Sequence, residues 1–264
     1  MKAGYVYVVD ADLKSYFDTI PHEKLMQLIE RKVADGRVLA LLRQFLNQGV
    51  LDGLATWTPE EGTPRGAVIS PLLSNVYLDP LDHRMAERGY AMVRYADDFV
   101  ILCRSRQEAE RALAEVQQWV AEAGLTLHPT KTRVVHAVEE GFDFLGYHFE
   151  RNRRWPRPKS LRKFRDTIRA KTHRADGRAL LAIIADVNRS AQGWFGYFQH
   201  SYRTTFNNLD GWIRMRLRSI LRKRHGGSGR GRGTDHQRWP HAYFDLGLFS
   251  LQAAHGIACQ SSRR

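Results

Sequence analysis

Three acidic side chains in the first half of the chain have neighbours that suggest chemistry. Asp12 closes an apolar, β-branched run, while Asp97 and Asp98 lie between two short apolar runs. Carboxylates among apolar residues are costly to bury unless a cation neutralises them. Converging carboxylates beside a phosphate group are ligands that suit Mg²⁺. The pattern suggests a divalent-cation site, although an isolated Asp-Asp pair more often caps a surface hairpin.

The surrounding sequence predicts the elements that would position these acids. A strand over 5–12 carries Asp12, and two strands over 92–95 and 99–103 form a hairpin with Asp97 and Asp98 at its turn. Further helices are predicted over 23–33, 37–47, 70–88 and 107–123, and further strands near 54–58, 133–137 and 142–150. Because these elements alternate irregularly around a hairpin, the first half predicts an α+β sheet layer.

The second half has a different pattern. Its periodicity predicts a small helical bundle with helices over 161–174, 178–190, 193–200 and 209–224. A Gly/Arg-rich segment, 226–233, predicts a flexible loop, and a basic aromatic tail follows it. We therefore expect three regions, 1–152, 153–225 and 226–264.

Charge divides the chain at the same place. Residues 1–150 contain 16 Lys and Arg against 22 Asp and Glu, whereas residues 151–264 contain 25 against 6, and 21 of those 25 cations are Arg. Arginine binds phosphate in a bidentate manner and stacks on bases. An acidic half joined to an arginine-rich half suggests a metal-holding module fused to one that binds a polyanion. A basic tail on an unrelated domain is the alternative.

Composition excludes several other classes. The two cysteines, Cys103 and Cys259, are too few for a disulfide scaffold or a cysteine-based zinc module, and they suit a reducing cytoplasm. No apolar run approaches the roughly 20 residues that span a bilayer. The N-terminus lacks the pattern of a signal peptide. We expect a cytoplasmic protein with no membrane partner.

Five segments, in order, resemble the motifs of group II intron reverse transcriptases. Residues 12–22 (DLKSYFDTIPH) resemble motif A, residues 62–75 resemble motif B, and residues 95–98 (YADD) match motif C. Residues 124–132 resemble motif D, and residues 142–147 (FDFLGY) resemble the primer grip. The resemblance implies a right-hand polymerase palm, an α+β fold, followed by an all-α thumb. It also implies an RNA-directed DNA polymerase that acts as an intron maturase.

The same resemblance assigns roles to residues of the first half. Asp12 and Asp97 would hold two Mg²⁺ ions with support from Asp98, and Lys131 would face the leaving pyrophosphate. Asp10, two residues before Asp12 on the same strand face, is the competing ligand.

Substrate-binding roles follow from the resemblance as well. Phe17 would exclude a ribose 2′-hydroxyl, so that deoxynucleoside triphosphates are favoured. Arg65 stands where the family usually carries Gln, beside the template and the incoming nucleotide. The full expected set is Phe17, Arg65, Gly66, Phe144, Leu145 and Gly146, of which the last three would approach the primer end.

In the second half, residues 193–198 and 209–218 resemble the maturase, or thumb, region of the family. Arg214, Arg218 and Arg222 recur every four residues, which predicts one basic stripe on a helix that binds RNA. The expected partners are intron RNA, an RNA template with a DNA primer, and deoxynucleotides.

The resemblance leaves rival interpretations. Because Asp12 lies close to Met1, the fingers region of the family has no counterpart, and we expect weak polymerisation unless a separate fingers segment or a second copy completes the site. The main alternative is a non-catalytic maturase fragment that only binds intron RNA. A metal-dependent nuclease that uses the same carboxylates ranks last, since no dedicated base accompanies them.

Overall fold

The computed structural model describes residues 4–47, 50–52, 55–57, 61–63, 68–245 and 247–261. The chain divides into two compact units. The first contains Met1–Leu145 and Glu150–Asn152, and the second contains Gly146–Phe149 and Arg153–Arg264. Each unit has its own hydrophobic core. Within these ranges, we find no helix with the length and hydropathy of a membrane span.

The first unit mixes short strands with helices. Its elements are β1 (Tyr7–Asp12), α1 (Tyr16–Thr19), α2 (His22–Glu30), α3 (Gly36–Leu46), β2 (Val50–Asp52), β3 (Ala55–Trp57), α4 (Ser70–Glu87), β4 (Ala91–Tyr95), β5 (Asp98–Cys103), α5 (Arg106–Glu122), β6 (Arg133–His136) and β7 (Phe142–Phe144). The antiparallel sheet that carries the acids has the order β4-β5-β1-β6. This arrangement confirms the α+β prediction.

Strand geometry separates the acids of β1 from its core-facing residues. Val9 and Ala11 are fully buried in the core that α2, α4 and α5 cover. Because side chains alternate along a strand, Asp10 and Asp12 lie on the opposite face of the sheet. In the pairing of β1 with β5, Asp12 stands directly opposite Asp98. The sheet therefore brings motif A and motif C side by side.

The second unit is mainly helical. Its elements are β8 (Tyr147–Glu150, of which the first three residues belong to this unit), β9 (Arg153–Pro156), α6 (Pro158–Lys171), α7 (Leu180–Phe198), α8 (Thr204–Arg224), α9 (Thr234–Arg238), α10 (His241–Asp245) and α11 (Leu251–Ser261). The prediction of two separate helices over 178–190 and 193–200 is wrong, because the structure has the single helix α7 in this region. Gly193 weakens a helix interior, but Ala191 and Phe198, on either side of it, are buried and hold α7 together.

The segment after residue 225 is not a separate tail. Trp239, Phe244 and Leu251 are buried in the same core as α6, α7 and α8. The predicted flexible loop packs closely at Gly231, where a Cβ atom would lie 2.7 Å from the Cβ of Arg218. Asp210 in α8 is 2% exposed and accepts a hydrogen bond of 3.0 Å from the backbone N–H of Leu251, at the start of α11. Local composition suggested flexibility, but buried aromatic side chains anchor the segment.

Candidate functional site

A cavity of about 830 Å³ lies beside the end of β1 in the first unit. Its lining brings Asp12 and Phe17, five residues apart, together with Asp97 and Lys131, which lie far from them in the sequence. Ser70 and Pro71, at the start of α4, also line it. The structure thus places residues of four predicted motifs around one space.

Asp12 and Lys131 form an ion pair within this cavity. Lys131 Nζ donates a hydrogen bond of 2.6 Å to Asp12 Oδ2. This hydrogen bond, the largest influence, and the negative charge of Asp12 raise the pKa of Lys131. The Asp12 side chain is 24% exposed and that of Lys131 is 60% exposed, so solvent or a ligand can reach both groups.

Asp97 lies in the turn between β4 and β5. Burial raises the pKa of Asp97, and the nearby negative charge of Asp12 raises it further. Ala96, just before it, has a left-handed backbone with φ of 55°, which gives the turn its sharp bend. Asp98 follows as the first residue of β5, opposite Asp12, and residues opposed in this way share a face of the sheet. Three carboxylates therefore concentrate negative charge at this end of the sheet.

Asp10, the competing ligand, has a different environment. Arg133 Nε lies 3.4 Å from Asp10 Oδ2, and Asp10 is not among the residues that line the cavity. Burial is the main cause of its raised pKa, and Arg133 opposes that shift. The structure places Asp12, rather than Asp10, in the cavity.

Backbone hydrogen bonds fix the segment that carries Phe17. The N–H of Thr63 donates to the carbonyl of Phe17 at 2.6 Å, and the N–H of Gly62 donates to the carbonyl of Ile20 at 2.8 Å. Gly62 has a φ of +89°, and a Cβ atom there would lie 2.7 Å from the carbonyl oxygen of Phe17. Only glycine allows the two segments to approach so closely. Motif B therefore begins by fixing the backbone of motif A.

Arg94 supports the turn of Asp97, and the sequence analysis missed it. Its guanidinium forms a two-pronged ion pair with Asp82 in α4, in which Nε lies 2.8 Å from Oδ1. It also donates to the carbonyl of Ala96 at 3.0 Å and to Asn75 Oδ1 at 3.0 Å. The Arg94 side chain is only 10% exposed. An arginine inside an otherwise apolar strand was the available signal, because such a cation needs a partner.

His128 is a second residue that the sequence analysis missed. It lines the cavity, and its backbone N–H donates to the carbonyl of Asp12 at 2.7 Å. His128 Nδ1 lies 3.3 Å from Thr130 Oγ1. These contacts tie the segment before Lys131 to the end of β1. The resemblance to motif D singled out Lys131 alone.

The remaining residues predicted to bind substrate are Arg65, Gly66, Phe144, Leu145 and Gly146. Arg65 and Gly66 fall outside the described residues. Phe144 is buried at 7% exposure in the first unit. Leu145 and Gly146 have φ of 48° and 79°, which makes a sharp turn after β7. The predicted contact of these three residues with a primer stays a prediction.

The structure corrects the basic stripe predicted on α8. Arg218 is 1% exposed, donates to the carbonyl of Trp239 at 2.8 Å, and lies 5.2 Å from the ring centre of Phe244. Arg222 pairs with Asp235 at 2.6 Å. The four-residue spacing takes no account of the segment after residue 225, which covers this face. Arg218 therefore holds that segment and does not face solvent.

The donor groups around the cavity fit one type of metal site. No group of three or more His, Cys, Asp or Glu side chains in the described parts of the chain is arranged to hold a metal ion. Asp12 and Asp97 nevertheless share the cavity. Mg²⁺ in phosphoryl-transfer sites commonly takes one or two carboxylates and completes its coordination with water and substrate phosphates. The two carboxylates fit that type of site.

Two family profiles match the sequence, one over its first half and one within its second half. Residues 1–149 match "Reverse transcriptase (RNA-dependent DNA polymerase)". Residues 161–239 match "Group II intron, maturase-specific domain". The second match reaches Trp239, so it includes the predicted flexible loop and the start of the predicted basic aromatic tail.

Curated relatives agree with these matches. Protein YkfC of Escherichia coli is 32% identical over 182 residues, which are 56% of this chain and 48% of YkfC. The group II intron-encoded protein LtrA of Lactococcus lactis is 39% identical over 79 residues, 30% of this chain and 13% of LtrA. A protein of the cob intron of Schizosaccharomyces pombe is 26% identical and covers 54% of this chain and 25% of its own length. The chain thus spans less than half the length of these relatives.

Solved structures show the same fold at low sequence identity. Telomerase from Candida albicans, solved with a fragment of telomeric RNA, matches with a TM-score of 0.51 at 12% identity, over 82% of this chain and 44% of that one. Telomerase from Candida tropicalis matches with a TM-score of 0.50 at 10% identity, over 82% and 42%. This likeness shows a polymerase-type fold.

Proposed function

Because this chain belongs to the reverse transcriptase family and carries a group II intron maturase-specific domain, we propose that it is an RNA-directed DNA polymerase whose second unit binds intron RNA. One observation carries the catalytic part of the proposal. Asp12 and Asp97 line the same cavity as Phe17 and Lys131, within the region that matches the polymerase family. That set combines two carboxylates that can hold metal ions, an ammonium that can meet a phosphate, and an aromatic ring at the cavity wall.

The carboxylates of Asp12 and Asp97 would hold two Mg²⁺ ions, and Asp98 beside them adds negative charge. When bound, such ions lower the pKa of a primer 3′-hydroxyl and neutralise the charge that develops on the triphosphate. The protein's own contribution is position. Arg94 fixes the turn of Asp97, and His128 fixes the backbone of Asp12.

Lys131 would act on the leaving pyrophosphate. Its ammonium forms an ion pair with the carboxylate of Asp12, and the negative charges of Asp97 and Asp98 also stabilise it. An ammonium at that place can offset negative charge on the leaving group or donate a proton to it. Because its side chain is 60% exposed, Lys131 is free to turn from Asp12 toward a triphosphate.

Phe17 would select the sugar. Its ring lies against the ring of Tyr16, with centroids 5.5 Å apart, and Tyr16 is anchored by a 2.8 Å hydrogen bond from its hydroxyl to the carbonyl of Ser74. A ring held this firmly at the cavity wall would overlap with a ribose 2′-hydroxyl. The cavity would therefore favour deoxynucleotides.

Primer extension on an RNA template with Mg²⁺ and deoxynucleotides tests the catalytic proposal. Wild-type chain should extend the primer weakly, in line with the expectation from the sequence, and Asp97→Asn should reduce that extension by at least about 100-fold, the scale of losing one group that stabilises a transition state. Asp245→Asn, at an exposed position in α10, is the matched control and should extend normally. Failure of the wild-type chain to extend, or equal activity of Asp97→Asn, would refute the catalytic proposal.

A second candidate, a non-catalytic maturase that binds intron RNA, is favoured by the charge of the second unit. Residues 151–264 contain 25 Lys and Arg against 6 Asp, and the maturase-specific match lies within them. RNA binding of this kind should persist in Asp97→Asn, since that carboxylate belongs to the first unit. Splicing assistance without primer extension would identify this candidate as the function.

A further inference from the structure

A cluster of arginines surrounds one tryptophan in the second unit. The guanidinium carbons of Arg165 and Arg169, on α6, lie 6.0 and 5.8 Å from the ring centroid of Trp212. That of Arg216, one turn further along α8, lies 6.0 Å from the same centroid. We call these four residues the Trp212 cluster. Each contact is within the range of a cation–π interaction.

Arg216 is the fixed member of this cluster. It donates to Thr172 Oγ1 at 2.9 Å and to the carbonyl of Thr172 at 2.7 Å, just after the end of α6. Arg216 thereby caps that helix and joins it to α8. Arg216 also holds a fixed positive charge close to Arg165 and Arg169.

Arg165 and Arg169 have far fewer partners. Arg169 pairs with Asp166 at 2.5 Å, and the Nε of Arg165 is buried without a hydrogen-bond partner among the described residues. The two lie four residues apart on α6, so their guanidinium groups are neighbours on one face. Arg169 is exposed and Arg165 is half-buried, so a ligand at the surface can reach the cluster.

Charge in this region is strongly unbalanced. Helix α6, with the sequence PKSLRKFRDTIRAK, contains six Lys and Arg but one acid, Asp166. Burial, and then the charges of Arg174 and Arg169, lower the pKa of Arg216. Like charges held this close repel one another, and a bound polyanion would relieve that repulsion.

We propose that the Trp212 cluster is the place where the second unit binds the phosphate backbone of RNA. The inference rests on the proposed RNA binding and gives it a location that differs from the stripe of Arg214, Arg218 and Arg222. A guanidinium fork matches the oxygens of a phosphate, and the ring of Trp212 holds the forks in place before RNA arrives. Preorganised groups lose less conformational entropy on binding, which favours affinity.

The test is binding of the full chain to a labelled stem-loop RNA across a salt series. Replacing Arg165 and Arg169 by Gln should weaken binding by about 10-fold or more and reduce the slope of log affinity against log salt by about 1.5, as expected when two phosphate contacts are lost. The matched control replaces Arg203 and Lys223, two exposed cations of the same unit, by Gln. This control removes the same charge and should weaken binding by less than about threefold.

A second variant separates geometry from net charge. Trp212→Leu keeps every cation, yet it should weaken RNA binding by about three- to tenfold because the arginines lose the aromatic ring that positions them. Trp212→Phe retains an aromatic ring and should bind RNA as the wild-type chain does. Thermal unfolding of each variant checks that the second unit remains folded.

Three outcomes would overturn the inference. Equal losses in the Arg165/Arg169 and Arg203/Lys223 variants would show that only total charge matters. Unchanged binding by a folded Trp212→Leu variant would show that the aromatic ring has no role. No binding of the stem-loop by the wild-type chain would refute the inference together with the RNA-binding part of the proposed function, while leaving the primer-extension result unaffected.

Discussion

Lys131 and Asp12 are joined by a hydrogen bond of 2.6 Å, although they lie 119 positions apart in the chain. The side-chain ammonium of Lys131 thus lies at the carboxylate that we propose as a ligand of a divalent ion. Either the ion displaces the ammonium, or the two share the oxygen atoms of Asp12. In both cases Lys131 would compete with the cation for the carboxylate of Asp12, in addition to its proposed role at the leaving pyrophosphate.

We expect Lys131→Gln to bind Mn²⁺ about two- to fivefold more tightly than the wild-type chain, because a partly exposed ion pair offers modest competition. Titration of Mn²⁺ followed by electron paramagnetic resonance measures this affinity without polymerase activity. Lys131→Arg retains the positive charge and is the control, with affinity close to wild type. Weaker Mn²⁺ binding by Lys131→Gln would show instead that Lys131 orders the site.

Asp97→Asn should unfold at a higher temperature than the wild-type chain at neutral pH. Burial and Asp12 raise the pKa of Asp97, so the folded protein is destabilised when this group is ionised. Its contribution to stability is present at low pH and is lost as the pH rises through the raised pKa. We expect a gain of no more than about 1 kcal/mol at pH 7 because water still reaches the turn.

The pH dependence provides the check on this prediction. The difference between Asp97→Asn and wild type should vanish near pH 4 or below, where the wild-type side chain also becomes neutral. Thermal melts over a pH series measure it, with the exposed Asp245→Asn as the control that shows no such trend. A variant less stable than wild type at pH 7 would contradict the prediction.

Arg94→Gln should destabilise the first unit by about 2 kcal/mol, because it leaves a carboxylate and two oxygen acceptors without their largely buried partner. Urea denaturation measures the loss. Arg94→Lys restores the charge but not the two-pronged geometry, and we expect it to recover less than half of the stability.

A double-mutant cycle with Asp82→Asn shows whether the pair itself matters. The two substitutions should be non-additive by about 1 kcal/mol or more, since each removes the other's partner. Arg106→Gln breaks an exposed ion pair with Glu110 and should leave stability almost unchanged. Additive effects of Arg94→Gln and Asp82→Asn would contradict the assigned contact.

Gly62→Ala should cost about 2 kcal/mol or more in unfolding free energy, because it adds a Cβ atom at a positive φ and against the backbone of Phe17 and Asp18. Gly36→Ala is the control in the same unit, since a Cβ atom added there, at the start of α3, would meet nothing within 4 Å. We expect that control to be neutral or slightly stabilising. Equal stability of the two variants would show that the two segments can separate at low cost.

Much of the first unit follows from local pattern. The strand that ends at Asp12 and the hairpin around Asp97 were predictable because short runs of apolar, β-branched residues favour strands and because a short polar turn between two such runs favours a hairpin. Motif order then placed Lys131 and Phe17 with them. Local pattern did not reveal the role of Arg94, because its partners Asp82 and Asn75 lie on a different element.

The second unit shows where local pattern fails. The four-residue spacing of Arg214, Arg218 and Arg222 is a true property of helix α8, and sequence alone determined it. Which side of that helix meets water was decided by the packing of Trp239 and Phe244, which cover Arg218. A helical period gives the faces of a helix but not their neighbours, because burial depends on contacts between residues that are distant in the chain.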